Sequence, residues 1–175
     1  GAQYNLGLRY YKGEVVRQDH TEAIRWFRKA AEQGAPEAQS DLGLMYHLGQ
    51  GVKKDYKEAL KWYRKAAEQK LPQAQYSIGE MYYEGKGVEK DDKEAIRWWF
   101  KAAEQAHIKA QYNIGAMYEK GLGMERDYKE AIKWWRSAAE QKQMSMLEVE
   151  AKLDLALAEG QAAAMVLAKK KKPCN

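Results

Sequence analysis

A period of 36 residues governs this chain: near-identical segments open at Ala2, Ala38, Ala74 and Ala110, each beginning Ala-Gln and each carrying a glycine five residues on. Self-repetition at this length constrains folding more than any local propensity. One such unit cannot bury its own apolar face and must stack on its neighbours, so a tandem array is implied. The units run 2–37, 38–73, 74–109 and 110–145. Each holds a second signature, Glu22-Ala23-Ile24-Arg25-Trp26-Phe27 in the first, followed by Ala-Ala-Glu-Gln.

Both signatures are predicted to be helices, because their apolar residues recur at three and four. Ala38, Leu42, Met45 and Tyr46 share one face of a first helix, A. Ala59, Trp62, Tyr63, Ala66 and Ala67 share one face of a second, B, leaving Lys57, Glu58, Lys61, Arg64 and Lys65 for water. Asp19, Asp55, Asp91 and Asp127 each precede a glutamate by three residues, the spacing of a capping box at the start of helix B. Gly-x-Gly-hydrophobic sequences join A to B, as in Gly49-Gln50-Gly51-Val52. The first unit has Val15 where the others have Gly51, Gly87 and Gly123, which predicts a different loop or local strain there. Gly7, Gly43, Gly79 and Gly115 fall inside helix A, where glycine costs roughly 0.5–1 kcal/mol relative to alanine. Close approach of helix B, with its paired alanines and adjacent aromatics, is the expected compensation.

Composition removes several classes. The formal charge is +5, but Lys169, Lys170, Lys171 and Lys172 supply four of those charges, so the repeats are nearly neutral and nucleic acid is not the expected partner. Every apolar cluster is interrupted by a charged or amide side chain, so no membrane span is expected. Cys174 has no second cysteine to pair with. His20, His47 and His107 have no carboxylate or cysteine at ligand spacing, which argues against a metal, and no serine or cysteine has a recognisable base partner. No cofactor and no enzymatic activity are expected.

The pattern Ala-Gln-Tyr-Asn-Leu-Gly-x-x-Tyr, then Gly-x-Gly-Val-x-x-Asp, then Glu-Ala-Ile-x-Trp-aromatic-x-x-Ala-Ala-Glu-Gln resembles the Sel1-like repeats, relatives of the tetratricopeptide repeats. The period of 36 rather than 34 and the longer glycine loop favour the Sel1 branch. The resemblance covers residues 2–145. It implies an all-α fold, a right-handed superhelical solenoid of four helix-turn-helix repeats, used as a bacterial adaptor or scaffold for protein partners without catalysis. Cysteine-rich secreted members are stapled by disulfides that this chain lacks. Other members resemble immunity proteins that block secreted toxins, which gives the alternative function of an inhibitor occluding an enzyme.

With Leu6 as a core position, residues two before, two after and five after it point roughly 140–160° away, toward the expected concave face. That stripe comprises Tyr4, Leu8 and Tyr11; Ser40, Leu44 and His47; Tyr76, Glu80 and Tyr83; Tyr112, Ala116 and Glu119. Glu37, Gln73 and Lys109 extend it by a turn. Tyrosine is favoured at recognition hot spots, so a tyrosine-rich groove for a protein or peptide is predicted, although a tyrosine in such a place can also bridge adjacent repeats. Replacing Tyr76 and Tyr83 by alanine is expected to abolish binding and spare helicity. Trp26, Trp62, Trp98, Trp99, Trp134 and Trp135 are expected in the core. Phe100 stands where other units have Arg28, Arg64 and Arg136, so it is expected in solvent as a second contact patch.

Beyond the repeats, residues 146–168 carry apolar Val149, Leu153, Leu157, Ala164 and Leu167, a stripe suited to capping the last unit, with Gly160 as a helix stop. Residues 169–175 read as a basic, disordered tail. Gly1 abuts a repeat directly without an initiator Met, so the start reads as truncated or processed. The sequence leaves open the oligomeric state and a location in the cytoplasm, the periplasm or outside the cell.

Overall fold

A computed structural model describes residues 1–142 together with 155, 157, 158 and 160. These residues form α1 (Ala2–Lys12), α2 (His20–Glu32), α3 (Pro36–Leu48), α4 (Tyr56–Glu68), α5 (Pro72–Glu84), α6 (Asp92–Ala103), α7 (Ile108–Lys120) and α8 (Tyr128–Lys142). Among the described residues there is no strand, and the fold is all-α, of the solenoid class. Two compact units are present. Gly1–Gln105 holds α1–α6, three hairpins in which each helix packs on the next, and the second unit, from Ala106 on, holds the α7–α8 hairpin.

The helix B starts follow from the aspartates. The Asp19 carboxylate accepts the Thr21 and Glu22 amides at 2.9 and 3.0 Å, and Asp55, Asp91 and Asp127 cap α4, α6 and α8 in the same manner. The box itself is not closed. Each cap residue donates its own amide to a helix A carbonyl, Asp19 to Tyr10 and Asp55 to Tyr46 at 2.9 and 3.0 Å, so the glutamate has nothing to return to. Those glutamates bind cations one turn on: Glu22 with Arg25 at 2.6 Å, Glu58 with Lys61 at 3.1 Å and Glu94 with Arg97 at 3.2 Å. The tie from Asp to the tyrosine carbonyl is what folds the loop back on helix A.

Each mid-helix glycine lies under one aromatic ring. A Cβ on Gly7, Gly43, Gly79 or Gly115 comes within 2.6, 2.8, 2.5 or 2.4 Å of Phe27, Tyr63, Trp99 or Trp135 respectively. The second aromatic of each helix B pair, rather than the paired alanines, therefore fills the space that glycine vacates. Burying such a ring contributes about 1.5–3 kcal/mol, which outweighs the glycine penalty of roughly 0.5–1 kcal/mol. The first aromatic behaves differently. Trp62 packs into the core shared by α2 and α3, whereas Trp26, Trp98 and Trp134 are only half-buried. Lys29 and Lys101 lie over Trp26 and Trp98 at 4.3 and 4.1 Å, so the expectation of a fully buried set of tryptophans is corrected by lysine stems shielding their outer faces.

Buried polarity is arranged as a glutamine ladder. The opening Gln39 and Gln75 accept hydrogen bonds from Gln69 and Gln105, the last residues of the Ala-Ala-Glu-Gln runs, each at 2.8 Å. Gln39 also donates to the Ala31 carbonyl at 3.1 Å, across the boundary from the first repeat to the second. In the second and third repeats the two recurring glutamines are thus one interaction.

The first loop keeps the geometry of the others. Val15 has φ +72°, beside +68° at Gly51 and +71° at Gly87, so local strain is what the valine brings. The expected cap at 146–168 and tail at 169–175 lie outside the described residues, apart from the four named above. Gly160 is helical and not a stop; a Cβ on it would lie 3.1 Å from the Tyr128 ring, so its bareness serves close packing.

Candidate interaction surface

In the first unit, the tyrosines of the expected stripe mostly work as seams. The Tyr4 hydroxyl donates to Asp41 at 2.9 Å and its ring packs on Phe27 with centroids 5.7 Å apart. The Tyr11 hydroxyl donates to Gln50 at 3.2 Å and its ring stacks on His20 at 5.3 Å. Both tie α1 to the second repeat. Tyr76 is buried, 8% exposed, and donates to Glu80 at 2.7 Å; Ser40 is buried as well. Tyr83 lies against Trp99 at 5.5 Å, and His47 meets the Tyr56 ring edge-on at 5.2 Å. Ser40 and Tyr76 are therefore not on an open face, and Tyr76→Ala is a core substitution rather than a clean probe of binding. The reason is geometric. In the second and third repeats the residue two before the core position turns into the crevice between neighbouring helices A, where it is covered.

The open part of the stripe is narrower and more aliphatic. Leu44 is 36% exposed; Leu48, one turn further along α3, is 46% exposed. Leu48 was missed by the helical-wheel choice, yet its column carries the signal, since the other units have Lys12, Glu84 and Lys120 there. Leu8 is half-buried against the core, Glu37 and Gln73 are exposed, and Glu80 is half-buried. In the second unit Tyr112 is 42% exposed with its ring 6.4 Å from Trp135, Lys109 is exposed, and Ala116 and Glu119 are half-buried. Phe100, expected in solvent, is half-buried.

Burial, followed by the Asp41 charge, pushes the Tyr4 phenol up, and burial raises the Tyr63 phenol and the Asp41 carboxyl. Burial lowers His47, helped by Lys86. These shifts follow from packing, not from a nucleophile or base poised over a pocket. Among the described residues, no group of three or more His, Cys, Asp or Glu side chains is placed to hold a metal, and no helix is long and apolar enough to cross a membrane. The helix A face of the first unit presents apolar side chains edged by carboxylates.

The Sel1 repeat profile matches residues 1–34, 36–71, 72–107 and 108–142, and the chain belongs to the Sel1 repeat family. A solved structure of c5321, a protective antigen of uropathogenic Escherichia coli, is 47% identical with a TM-score of 0.78, over 80% of this chain and 30% of that one. A Sel1 repeat protein from Oxalobacter formigenes is 40% identical with a TM-score of 0.80, over 90% of this chain and 63% of its own. Helicobacter pylori cysteine rich protein B is 26% identical with a TM-score of 0.53, over 62% of this chain and 85% of that one. The chain thus spans about a third and somewhat under two thirds of the first two relatives. A search of curated proteins gives no match. Sel1 repeats generally mediate protein–protein interaction, and the scaffold family is generally non-enzymatic.

Proposed function

We propose that this chain is a non-enzymatic scaffold whose helix A faces hold a partner protein or peptide. The observation that carries this reading is the exposure of Leu44 and Leu48 on adjacent turns of α3, a rigid helix that buries its opposite face. Two leucines open on one helix face give an apolar spot that a partner's side chains can cover. Tyr4, Tyr11 and Tyr76 enter as the frame that fixes the spacing of the helices, not as contact residues.

A photo-crosslinking amino acid placed at position 44, and in a control at the exposed helix B position Lys61, tests the reading in cells of the native host. Discrete protein adducts at 44 and not at 61 are expected. Equal adducts at both positions, or adducts at 61 alone, would refute it.

A further inference from the structure

The glutamates that begin each helix B and the carboxylates on the helix A face of the first unit differ in their partners. On the helix B surfaces Glu22, Glu58, Glu94 and Glu130 are each neutralised by an arginine or lysine three residues on. On the helix A side of the first unit, Glu37, Asp41 and Glu80 have no cation within 4 Å among the described residues. Asp41 and Glu80 are held by tyrosine hydroxyls, from Tyr4 at 2.9 Å and Tyr76 at 2.7 Å, which orient a carboxylate without cancelling its charge. At the loop end of this face Lys12 pairs with Glu14 at 3.8 Å and Lys86 with Glu84 at 2.6 Å, Lys86 reaching Glu80 only through its longer-range field, while Lys54 lies over the Tyr56 ring at 5.8 Å. These three carboxylates, none of them ion-paired, flank the exposed leucines. Glu37 and Asp41 share the Leu44 face of α3, and Glu80 is the residue of α5 in the same repeat position as Leu44.

We propose that the α3–α5 face receives a basic amphipathic helix from a partner protein, its apolar side chains over Leu44 and Leu48 and its lysine or arginine heads against Glu37, Asp41 and Glu80. This rests on the scaffold reading and names the chemistry of the partner. Two leucines four apart on one helix present knobs about 5–6 Å apart, the spacing at which an incoming helix offers its own side chains. Uncompensated carboxylates around an apolar centre favour a cationic partner and disfavour an acidic one through the cost of unpaired like charge.

The test is selection from a displayed library of helix-forming peptides against the full chain. Recovered peptides are then measured by fluorescence anisotropy against wild type, Leu44→Ser/Leu48→Ser and Glu37→Gln/Glu80→Gln, each checked for native helical signal. Expected are net-cationic peptides whose affinity falls at least tenfold in the leucine variant and several-fold in the glutamine variant, with a weaker salt dependence in the latter. Neutral or acidic peptides, or cationic ones indifferent to Glu37→Gln/Glu80→Gln, that still depend on the leucines would overturn this inference and leave the scaffold reading standing. Peptides indifferent to the leucines, or none at all, would overturn both. A concentration-dependent dimer of the free chain, lost in the leucine variant, would identify a second copy as the occupant and also refute the basic-helix proposal.

Discussion

A Cβ placed on Gly51 falls 2.2 Å from the carbonyl oxygen of His20, the first residue of α2 in the preceding repeat. Gly87 stands in the same relation to Tyr56 at 2.8 Å. The second loop glycine is therefore required twice over, by a left-handed backbone and by contact with the neighbouring hairpin. Gly51→Ala is expected to lose more than about 2 kcal/mol, since left-handed φ alone costs roughly 1–2 kcal/mol and the obstruction is backbone that cannot step aside. Val15 has the same φ and is 93% exposed, so it carries the strain without making a contact. Val15→Gly is accordingly expected to stabilise by about 0.5–1 kcal/mol after allowing for unfolded-chain entropy. Urea unfolding midpoints moving in opposite directions for these two variants check the account.

Gly79 supplies a second sign reversal. Alanine ordinarily improves a helix interior by roughly 0.5–1 kcal/mol, but here its Cβ would lie 2.5 Å from Cδ1 and Nε1 of Trp99 and 3.0 Å from the Ala95 carbonyl. Gly79→Ala is expected to destabilise by about 1–3 kcal/mol. Introducing it into a Trp99→Leu background should cost much less, and a double-mutant cycle with additive effects would show that the ring and the glycine are not coupled.

The array, its helices, their caps and the loop glycines were legible in the sequence because each is a local rule repeated four times. The meaning of the glutamines was not, since Gln39 and Gln69 stand 30 residues apart and neither is unusual alone. The candidate surface was legible in part. A helical wheel locates the face that turns from the hairpin partner, which found Leu44 and Tyr112. It cannot tell open surface from the crevice between neighbouring helices, and so it placed Tyr76 and Ser40 outside when both are buried. Leu48 was hidden for the opposite reason: its exposure is visible only by comparison with the charged residues of the same column.

Gln105 tests the ladder. It is exposed, so its loss would ordinarily be neutral, but its Nε2 donates at 2.8 Å to Gln75, which is only 5% exposed. Gln105→Ala leaves a buried amide oxygen without that donor and is expected to cost about 1–3 kcal/mol. A matched change at exposed Glu104, one residue earlier, should move the urea midpoint little.

His107 makes stability depend on pH. Where the second and third repeats start helix A with Pro36 and Pro72, the fourth has Ile108, preceded by His107, whose Nδ1 accepts the Ala110 amide at 3.3 Å. Only a neutral imidazole can accept. Burial, then the Lys109 charge, holds this histidine below its ordinary value of 6.5, and burial lowers His47 likewise. A depressed folded pKa means that the unfolded chain binds the proton more readily. The contribution is therefore whole above about 6.5 and is lost as pH falls through the lower folded value. Wild type should unfold at lower urea near pH 5.5 than near pH 7.5. His107→Asn, which keeps a capping acceptor, should flatten part of that slope, and His107→Ala should cost about 1 kcal/mol at the higher pH. An unchanged slope in His107→Asn would refute the role of this cap.

Leu44 and Tyr76 separate binding from folding. Both belong to the stripe read from the sequence, but Leu44 is 36% exposed and Tyr76 8%. Tyr76→Ala removes a packed ring and the hydroxyl that holds Glu80, and a cost of about 3–5 kcal/mol is expected, as for other buried aromatics cut to alanine. Any loss of partner binding in that variant reports unfolding as much as contact. Leu44→Ser removes a half-open side chain from a helix whose other face stays packed, and a change within about 1 kcal/mol is expected. If the helix A face is the binding surface, Leu44→Ser weakens peptide capture while the fold stays intact at the assay temperature, whereas Tyr76→Phe, which keeps the ring, leaves capture close to wild type. Capture retained by Leu44→Ser and lost by Tyr76→Phe would place the contact at the tyrosine hydroxyl and move the surface one column along the stripe.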